Sequence, residues 1–224
     1  VLLAKIVEKV TGQDYDTYLW ENILEPLEMN SSGLGDFNMI GNRAIAHKGG
    51  LSKSRVISNF KPQWIYGMGE MYATAADLNK WLLALDHNEV LSEESRNAML
   101  TPVKNNYAYG WHVRDHAGHT QVSHGGYLPG WNSYVYYYPE DTLSIIVLSN
   151  KEESNPMLLG REIGNILFAN EIFLLDEFFG QQLYTGRYEV IDEINEENGL
   201  PIASDILMIN EEHGSLQVRT PKGK

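Results

Sequence analysis

Four histidines, His112, His116, His119 and His124, fall in a stretch rich in aromatic and β-branched residues, and the last is followed directly by Gly125 and Gly126. Imidazole ligates metals, moves protons and orients substrates near neutral pH, so chemistry is sought here first. Side chains along a strand alternate between faces, and the intervening residues place His116 and His119 in a turn, away from His124. Four convergent ligands are therefore not expected, and no carboxylate pattern completes a set. Neither metal nor cofactor is expected, and surface histidines are the simpler reading. The His124-Gly125-Gly126 triplet differs, because two adjacent glycines let another backbone or a substrate approach a strand edge closely. A plain glycine-rich hairpin uses the same residues, and local sequence leaves both readings open.

The elements that must position this triplet are legible from periodicity. Leu2, Leu3, Ile6, Val7 and Val10 recur at helical spacing, with Gly12 as the stop; Asp14 then opens a helix to about Leu24, before Pro26. Gly33 to Lys61 has little periodicity and reads as an irregular wall over a cleft. Thr74-Ala75-Ala76-Asp77 has the form of a capping box ahead of an apolar face of Leu78, Trp81, Leu82 and Leu85, and Ser92 starts a further helix to Leu100. After Pro102 the pattern predicts strands at Tyr109–Arg114, Thr120–His124, Trp131–Tyr138 and Leu143–Leu148. The turns are expected at Asp115–Gly118 and Pro139–Asp141, and the whole is an antiparallel meander in which His124-Gly125-Gly126 closes the second strand. Tyr134, Tyr136, Tyr137 and Tyr138, and most of the five tryptophans, are expected to pack, with Trp131 beside the glycine turn able to line a cleft. Asn155-Pro156 caps a helix whose apolar face lies on that sheet. Short strands at Tyr184–Ile191, Ile206–Asn210 and Leu216–Arg219 follow.

The class is thus α/β of the α+β type, an antiparallel sheet flanked by helices. The expected organisation is a main domain over residues 1–170, a connector over 171–182, and over 183–224 the start of a small β-rich domain, truncated at Lys224. Val1 follows no leader, so the chain is expected to begin mid-fold, inside its first helix. The 224 residues carry a net charge of −13. Eleven acidic and four basic side chains in residues 171–224 account for seven of those negative charges. Such a balance argues against nucleic acid as a partner, since phosphate binding draws on clustered Lys and Arg. No apolar run is long enough to span a bilayer. The absence of cysteine removes disulfides and thiolate catalysis and leaves the compartment open.

The runs VLLAKIVEKVTGQDYDTYLWENILEPLEM, GMGEMYATAADLNKW, YGWHV and HGGYLPGWNSYVYYYPEDTLSIIVLSN stand in the order and spacing of the serine beta-lactamase-like and penicillin-binding-protein family. The chain resembles the C-terminal part of that family over residues 1 to about 170. The resemblance implies the beta-lactamase/transpeptidase-like fold, incomplete at its N-terminus, and a mechanism through a serine on a Ser-x-x-Lys helix, a Tyr-x-Asn or Ser-x-Asn loop and a Lys-Thr-Gly-like strand edge. His124-Gly125-Gly126 matches the third element. By the same resemblance His124 is the catalytic candidate, Gly125, Gly126 and Tyr127 line the oxyanion and substrate subsite, and the Tyr127 N–H is one oxyanion donor. The second donor would be the N–H of the serine.

Histidine in place of the family's lysine departs from recognition of a carboxylate by a fixed cation, and resembles members that are D-amino-acid amidases, aminopeptidases and esterases. Ser58-Asn59-Phe60-Lys61 and Thr101-Pro102-Val103-Lys104 have the spacing of the first element, but Pro62 and Pro102 oppose the helical turn it needs. The first and second elements are thus expected to precede Val1, and residues 1–224 alone to be inactive. The expected function of the parent is hydrolysis of a D-amino-acid amide, peptide or ester through an acyl-enzyme. Its partner is a small molecule or peptide, and its location is periplasmic or otherwise extracytoplasmic. The alternative is a non-catalytic binding or scaffold member of the same fold.

Overall fold

The computed structural model describes residues 1–35, 40–49, 55–57 and 65–168 in full, and 186–194, 201–212 and 215–219 as backbone strands. It divides into two compact units, Val1–Arg161 and Glu162–Lys224, and the expected connector over 171–182 lies outside the described residues.

In the first unit the helices start and stop where local chemistry dictates. Helix α1 (Leu2–Thr11) ends at Gly12, which takes the left-handed conformation at φ 73°. Helix α2 (Tyr15–Leu19) widens into a π turn over Trp20–Leu24 that buries Leu24. Three two-residue strands follow, β1 (Gly33–Leu34), β2 (His47–Lys48) and β3 (Arg55–Val56), and β4 (Met71–Tyr72) pairs with β1. Helix α3 (Ala75–Asp86) is capped by Thr74, whose hydroxyl accepts from the Asp77 N–H at 3.2 Å. The expected reciprocal half of the capping box is replaced: the buried Asp77 carboxylate accepts from the Ser31 N–H and the Ser32 hydroxyl, each at 2.8 Å. Asp77 thus ties α3 to the turn after α2, a long-range use that overrides the local motif. Helix α4 (Glu93–Leu100) is capped by Ser92.

The sheet is an antiparallel meander in the order β5 (His112–His116), β6 (His119–Leu128), β7 (Trp131–Tyr138), β8 (Leu143–Ser149). Two differences from the sequence expectation bear on function. Strand β5 starts at His112 rather than Tyr109 and runs through to His116, leaving only Ala117-Gly118 as the turn, with φ 55° and 86°. Strand β6 does not close at His124: it continues through both glycines to Leu128, because β7 pairs with it at every step from Val122↔Tyr137 to Leu128↔Trp131. Glycine in this strand therefore reports close approach rather than termination.

Tyr136, Tyr137 and Tyr138 are all buried although alternate residues face opposite ways, so both faces of β7 are covered. On one face Leu82, Val122 and Tyr137 form the core, packed by Trp81, Leu100, Trp111, Val113, Val135 and Ile146. On the other, Tyr136 lies against the first turns of helix α5 (Pro156–Phe168), where its hydroxyl donates to the Met157 carbonyl at 2.5 Å. A Cβ on Gly160 would stand 2.6 Å from the Tyr136 ring, which explains a glycine in mid-helix. The Asn155 side chain caps this helix by accepting from the Leu158 N–H.

The second unit contains β9 (Gly186–Ile194), β10 (Pro201–Glu212) and β11 (Ser215–Arg219), antiparallel in the order β11-β10-β9. The β9–β10 register shifts at Ile202/Ala203 and Ala203/Asp205, so these strands are longer and less regular than the sequence expectation.

Candidate functional site

The hydrogen-bond parity of β6 follows from its two hairpins. A two-residue turn is closed by a hydrogen-bonded pair, and bonded and non-bonded pairs then alternate. The pair Leu128↔Trp131 thus directs residues 128, 126, 124 and 122 toward β7, while His116↔His119 directs residues 119, 121 and 123 toward β5. Gly125 and Tyr127 share the second parity, so their N–H and C=O groups point to the β5 side. But β5 ends at His112, opposite Ser123, and among the described residues no strand pairs with β6 from His124 onward on that side. Residues 124–127 are exposed there, Tyr127 to 60%. Both glycines sit tightly against β7: a Cβ on Gly125 would stand 2.8 Å from the Tyr134 ring and one on Gly126 2.6 Å from the Ser133 hydroxyl.

His124 stands at the head of this edge. Its Nδ1 lies 2.8 Å from the Gly125 carbonyl and its Nε2 3.3 Å from the Tyr107 hydroxyl. The His112 ring is 6.1 Å from it and nearly parallel, and Tyr107 meets His112 edge-on at 4.8 Å. Tyr107 reaches this place through a tight hairpin in which Lys104 and Tyr107 bridge across Asn105-Asn106. Both asparagines adopt positive φ, 52° and 58°, a conformation asparagine tolerates better than most residues. Sequence reasoning missed Tyr107 and the meeting of His112 with His124. The Asn-Asn pair was the available turn signal, and nothing local tells which strand that turn faces.

A second group converges on Tyr127 from the irregular wall. Residues 44–49 are bound to the hairpin and to the end of β8: the Trp131 indole donates to the Ala44 carbonyl at 3.0 Å, Asn150 donates to the Ile45 carbonyl, and His47 exchanges backbone bonds with Asn150 and Glu152. Gly130, at φ 84°, lets Ala46 approach so closely that a Cβ there would meet the Ala46 Cβ at 2.5 Å. At the end of the wall Lys48 Nζ lies 2.6 Å from Glu152 Oε1, and the Tyr127 hydroxyl stands close to the same carboxylate. The Lys48 hydrogen bond, followed by that of Tyr127, holds the Glu152 carboxyl below its ordinary range. The Tyr127 phenol is pushed up, first by partial desolvation and then by the Glu152 bond.

The remaining sequence candidates do not join this site. Thr101 is extended after α4, with its hydroxyl donating back to the Asn97 carbonyl, so no helical turn brings Lys104 onto it. Ser58 and Lys61 lie outside the described residues. At the opposite end of the sheet His116 pairs with the Tyr138 hydroxyl and His119 with Asp141, each at 2.8 Å. Among the described residues no group of three or more His, Asp or Glu side chains is arranged to hold a metal ion.

The family model described as Beta-lactamase matches residues 1–167. The chain belongs to the beta-lactamase family. Among curated relatives, it is 27% identical over 173 residues to Penicillin-binding protein 4* of Bacillus subtilis, which covers 68% of this chain and 38% of that protein. It is 26% identical over 179 residues to the teichoic acid D-alanine hydrolase of Staphylococcus aureus, covering 76% and 43%. The chain thus spans roughly two fifths of the length of these curated relatives, from 38% to 43%. Two solved structures share the fold. The octameric penicillin-binding protein homologue from Pyrococcus abyssi superposes with a TM-score of 0.67 at 21% identity, over 98% of this chain and 51% of that one. The D-amino acid amidase from Ochrobactrum anthropi gives 0.62 at 19%, over 76% and 55%. The beta-lactamase-family fold of helices and antiparallel sheet is therefore shared by penicillin-binding proteins and by hydrolases of D-amino acid derivatives. Among the described residues of this family member no helix is long and apolar enough to cross a membrane.

Proposed function

We propose that the complete protein is a serine hydrolase that transfers an acyl group from a D-amino-acid amide, peptide or ester to an active-site serine and then to water. The single observation that carries this reading is the bare β6 edge from His124 to Tyr127, in a beta-lactamase-family chain whose relatives include a D-alanine hydrolase. An edge strand whose N–H groups point outward can pair with an extended acyl donor and place one donor on a developing oxyanion. In this reading the acyl donor lies antiparallel to residues 124–127, and the Tyr127 N–H bonds the carbonyl oxygen as it takes up charge. The glycines keep the edge free of side chains, and His124, with the groups its ring bonds, shapes the subsite at its head.

The serine nucleophile and its lysine come, in this proposal, from outside residues 1–224. Support comes from the share of the relatives that the chain spans and from Thr101 standing outside a helical turn. The named D-alanine hydrolase and penicillin-binding proteins further support an extracytoplasmic site of action. The test is labelling of the complete protein with a fluorescent penicillin and an activated phosphonate ester, followed by peptide mapping. The expected label sits on a serine that residues 1–224 do not contain, and residues 1–224 expressed alone take up none. A label on Ser58 or Thr101 overturns the assignment. In the complete protein Gly126→Val is expected to abolish turnover, since a branched side chain stands in the path of the acyl donor. Wild-type kinetics in that variant would remove β6 from the active site.

A further inference from the structure

The contacts of His124 bear on which substrate the edge can take, and this inference rests on the reading above that β6 lines the active site. A backbone carbonyl accepts and never donates, so the 2.8 Å contact with the Gly125 oxygen makes Nδ1 of His124 a donor. In the neutral ring Nε2 is then the acceptor, and the Tyr107 hydroxyl, 3.3 Å away, donates to it. In the protonated ring Nε2–H donates to the Tyr107 oxygen instead. In either state both ring nitrogens are engaged within the protein, and the ring has no N–H left for a ligand. A lysine at the same place would present three rotatable donors and a fixed charge.

We infer that Tyr107 is a specificity-determining residue: by occupying Nε2 of His124 it closes the imidazole to a substrate carboxylate and presents its own hydroxyl oxygen, so that this subsite takes acyl donors ending in a neutral amide or an ammonium group. The Tyr107 oxygen, while donating its proton to Nε2, keeps lone pairs that accept an N–H from such a group. The residue is 38% exposed, so a ligand at the edge can reach it. The Asn105-Asn106 turn and the edge-on contact with His112 hold the ring in place, and Tyr107 is not among the residues of the buried core.

The experiment uses the complete protein and a pair of D-alanyl-D-alanine substrates, one with a free C-terminal carboxylate and one capped as the primary amide. Tyr107→Phe, which removes only the hydroxyl, is expected to raise kcat/KM for the carboxylate relative to the amide about fivefold or more, mainly through KM, because the oxygen that accepts the amide N–H is lost in either state of the ring and, where the ring is protonated, its Nε2–H is freed for a charge-assisted hydrogen bond. Nitrogen NMR of the ¹⁵N-histidine-labelled protein provides a readout independent of turnover. His124 should show an Nδ1–H tautomer in the wild type, and its Nε2 resonance should shift in Tyr107→Phe while the remaining histidine signals stay in place. An unchanged substrate ratio, an equal fall for both substrates, or an unperturbed Nε2 resonance overturns the inference. If Gly126→Val abolishes turnover while Tyr107→Phe leaves the ratio unchanged, only this inference falls. If Gly126→Val leaves turnover intact, the reading of the edge fails and this inference falls with it.

Discussion

The two ends of the β5–β8 sheet each carry two histidines, and the ends are built in opposite ways. At the turn end His116 bonds the Tyr138 hydroxyl and His119 pairs with Asp141, while Gln121 donates to the same buried Tyr138 oxygen at 2.6 Å. Every polar group named there is answered by a neighbouring strand or by the short helical turn at Pro139–Asp141. At the other end β5 stops one residue short of His124, and β6 runs on with an edge that no strand among the described residues pairs, next to His112, Tyr107 and His124, whose ring bonds the Gly125 carbonyl. The difference is strand length. Where the ladder is complete, imidazole is absorbed into structure. Where one strand ends early, the same side chain faces an edge able to receive a ligand.

The sharpest way to break the comparison is to obstruct the edge while leaving the turn end untouched. Gly125→Val should lower kcat of the complete protein about a hundredfold or more, the magnitude of losing an oxyanion donor, because its Cβ drives against the Tyr134 ring and displaces the following backbone. Steady-state kinetics with circular dichroism as a fold control measure this, and a kcat within threefold of wild type would make the edge structural only.

Next in size is Gly130→Ala, which combines a positive φ with the Ala46 contact. It should cost about 2–3 kcal/mol in denaturant unfolding and raise KM by loosening the wall. An unchanged midpoint would show that the wall does not depend on this contact. The mirror experiment at the turn end is Tyr138→Phe. It strands the buried Gln121 amide and should cost about 1–2 kcal/mol while leaving kcat/KM within twofold, and a larger kinetic effect would mean that the two ends are coupled.

The smallest effect concerns the Lys48–Glu152–Tyr127 group. The folded state holds the Glu152 carboxyl below its ordinary 4.5, so its stabilising contribution is fully present above that pH and is lost as pH falls through the lowered value. Lys48 is raised by the same pairing, so its contribution is present below the ordinary 10.5 and is lost as pH rises beyond it. Lys48 is exposed and Glu152 only partly buried, and a shift of Tm of a degree or two is expected at either extreme. Glu152→Gln should flatten the acid limb of a Tm-against-pH curve between wild type and variant. If the two curves run parallel, the bridge contributes nothing to stability.

The helix boundaries and the four-strand meander were legible because they rest on local rules: Thr74, Ser92 and Asn155 cap helices, Gly12 ends one, and β-branched and aromatic runs alternate through Trp131–Tyr138. The triplet His124-Gly125-Gly126 was legible as a site of close approach, since two glycines in a strand need a reason. Its place at a strand edge was expected from the glycines and from the resemblance, but where that edge begins was not legible, because an edge is defined by where a different strand stops, and β5 was expected to begin three residues earlier than it does. The Asp77 carboxylate shows the same limit: its spacing from Thr74 spells a capping box, but the better partners are Ser31 and Ser32, more than forty residues away in sequence. By itself, then, the amino-acid sequence determined the helices, the order of the four long strands and the family, all of which depend on residues close together along the chain, while the two-residue strands β1 to β4 were not read from it. Only the tertiary structure decided that Tyr107 and His112 meet His124, and that Lys48 reaches Tyr127 through Glu152. Those contacts form across hairpins and loops whose relative placement is set by packing around Leu82, Val122 and Tyr137, and no local periodicity encodes that packing.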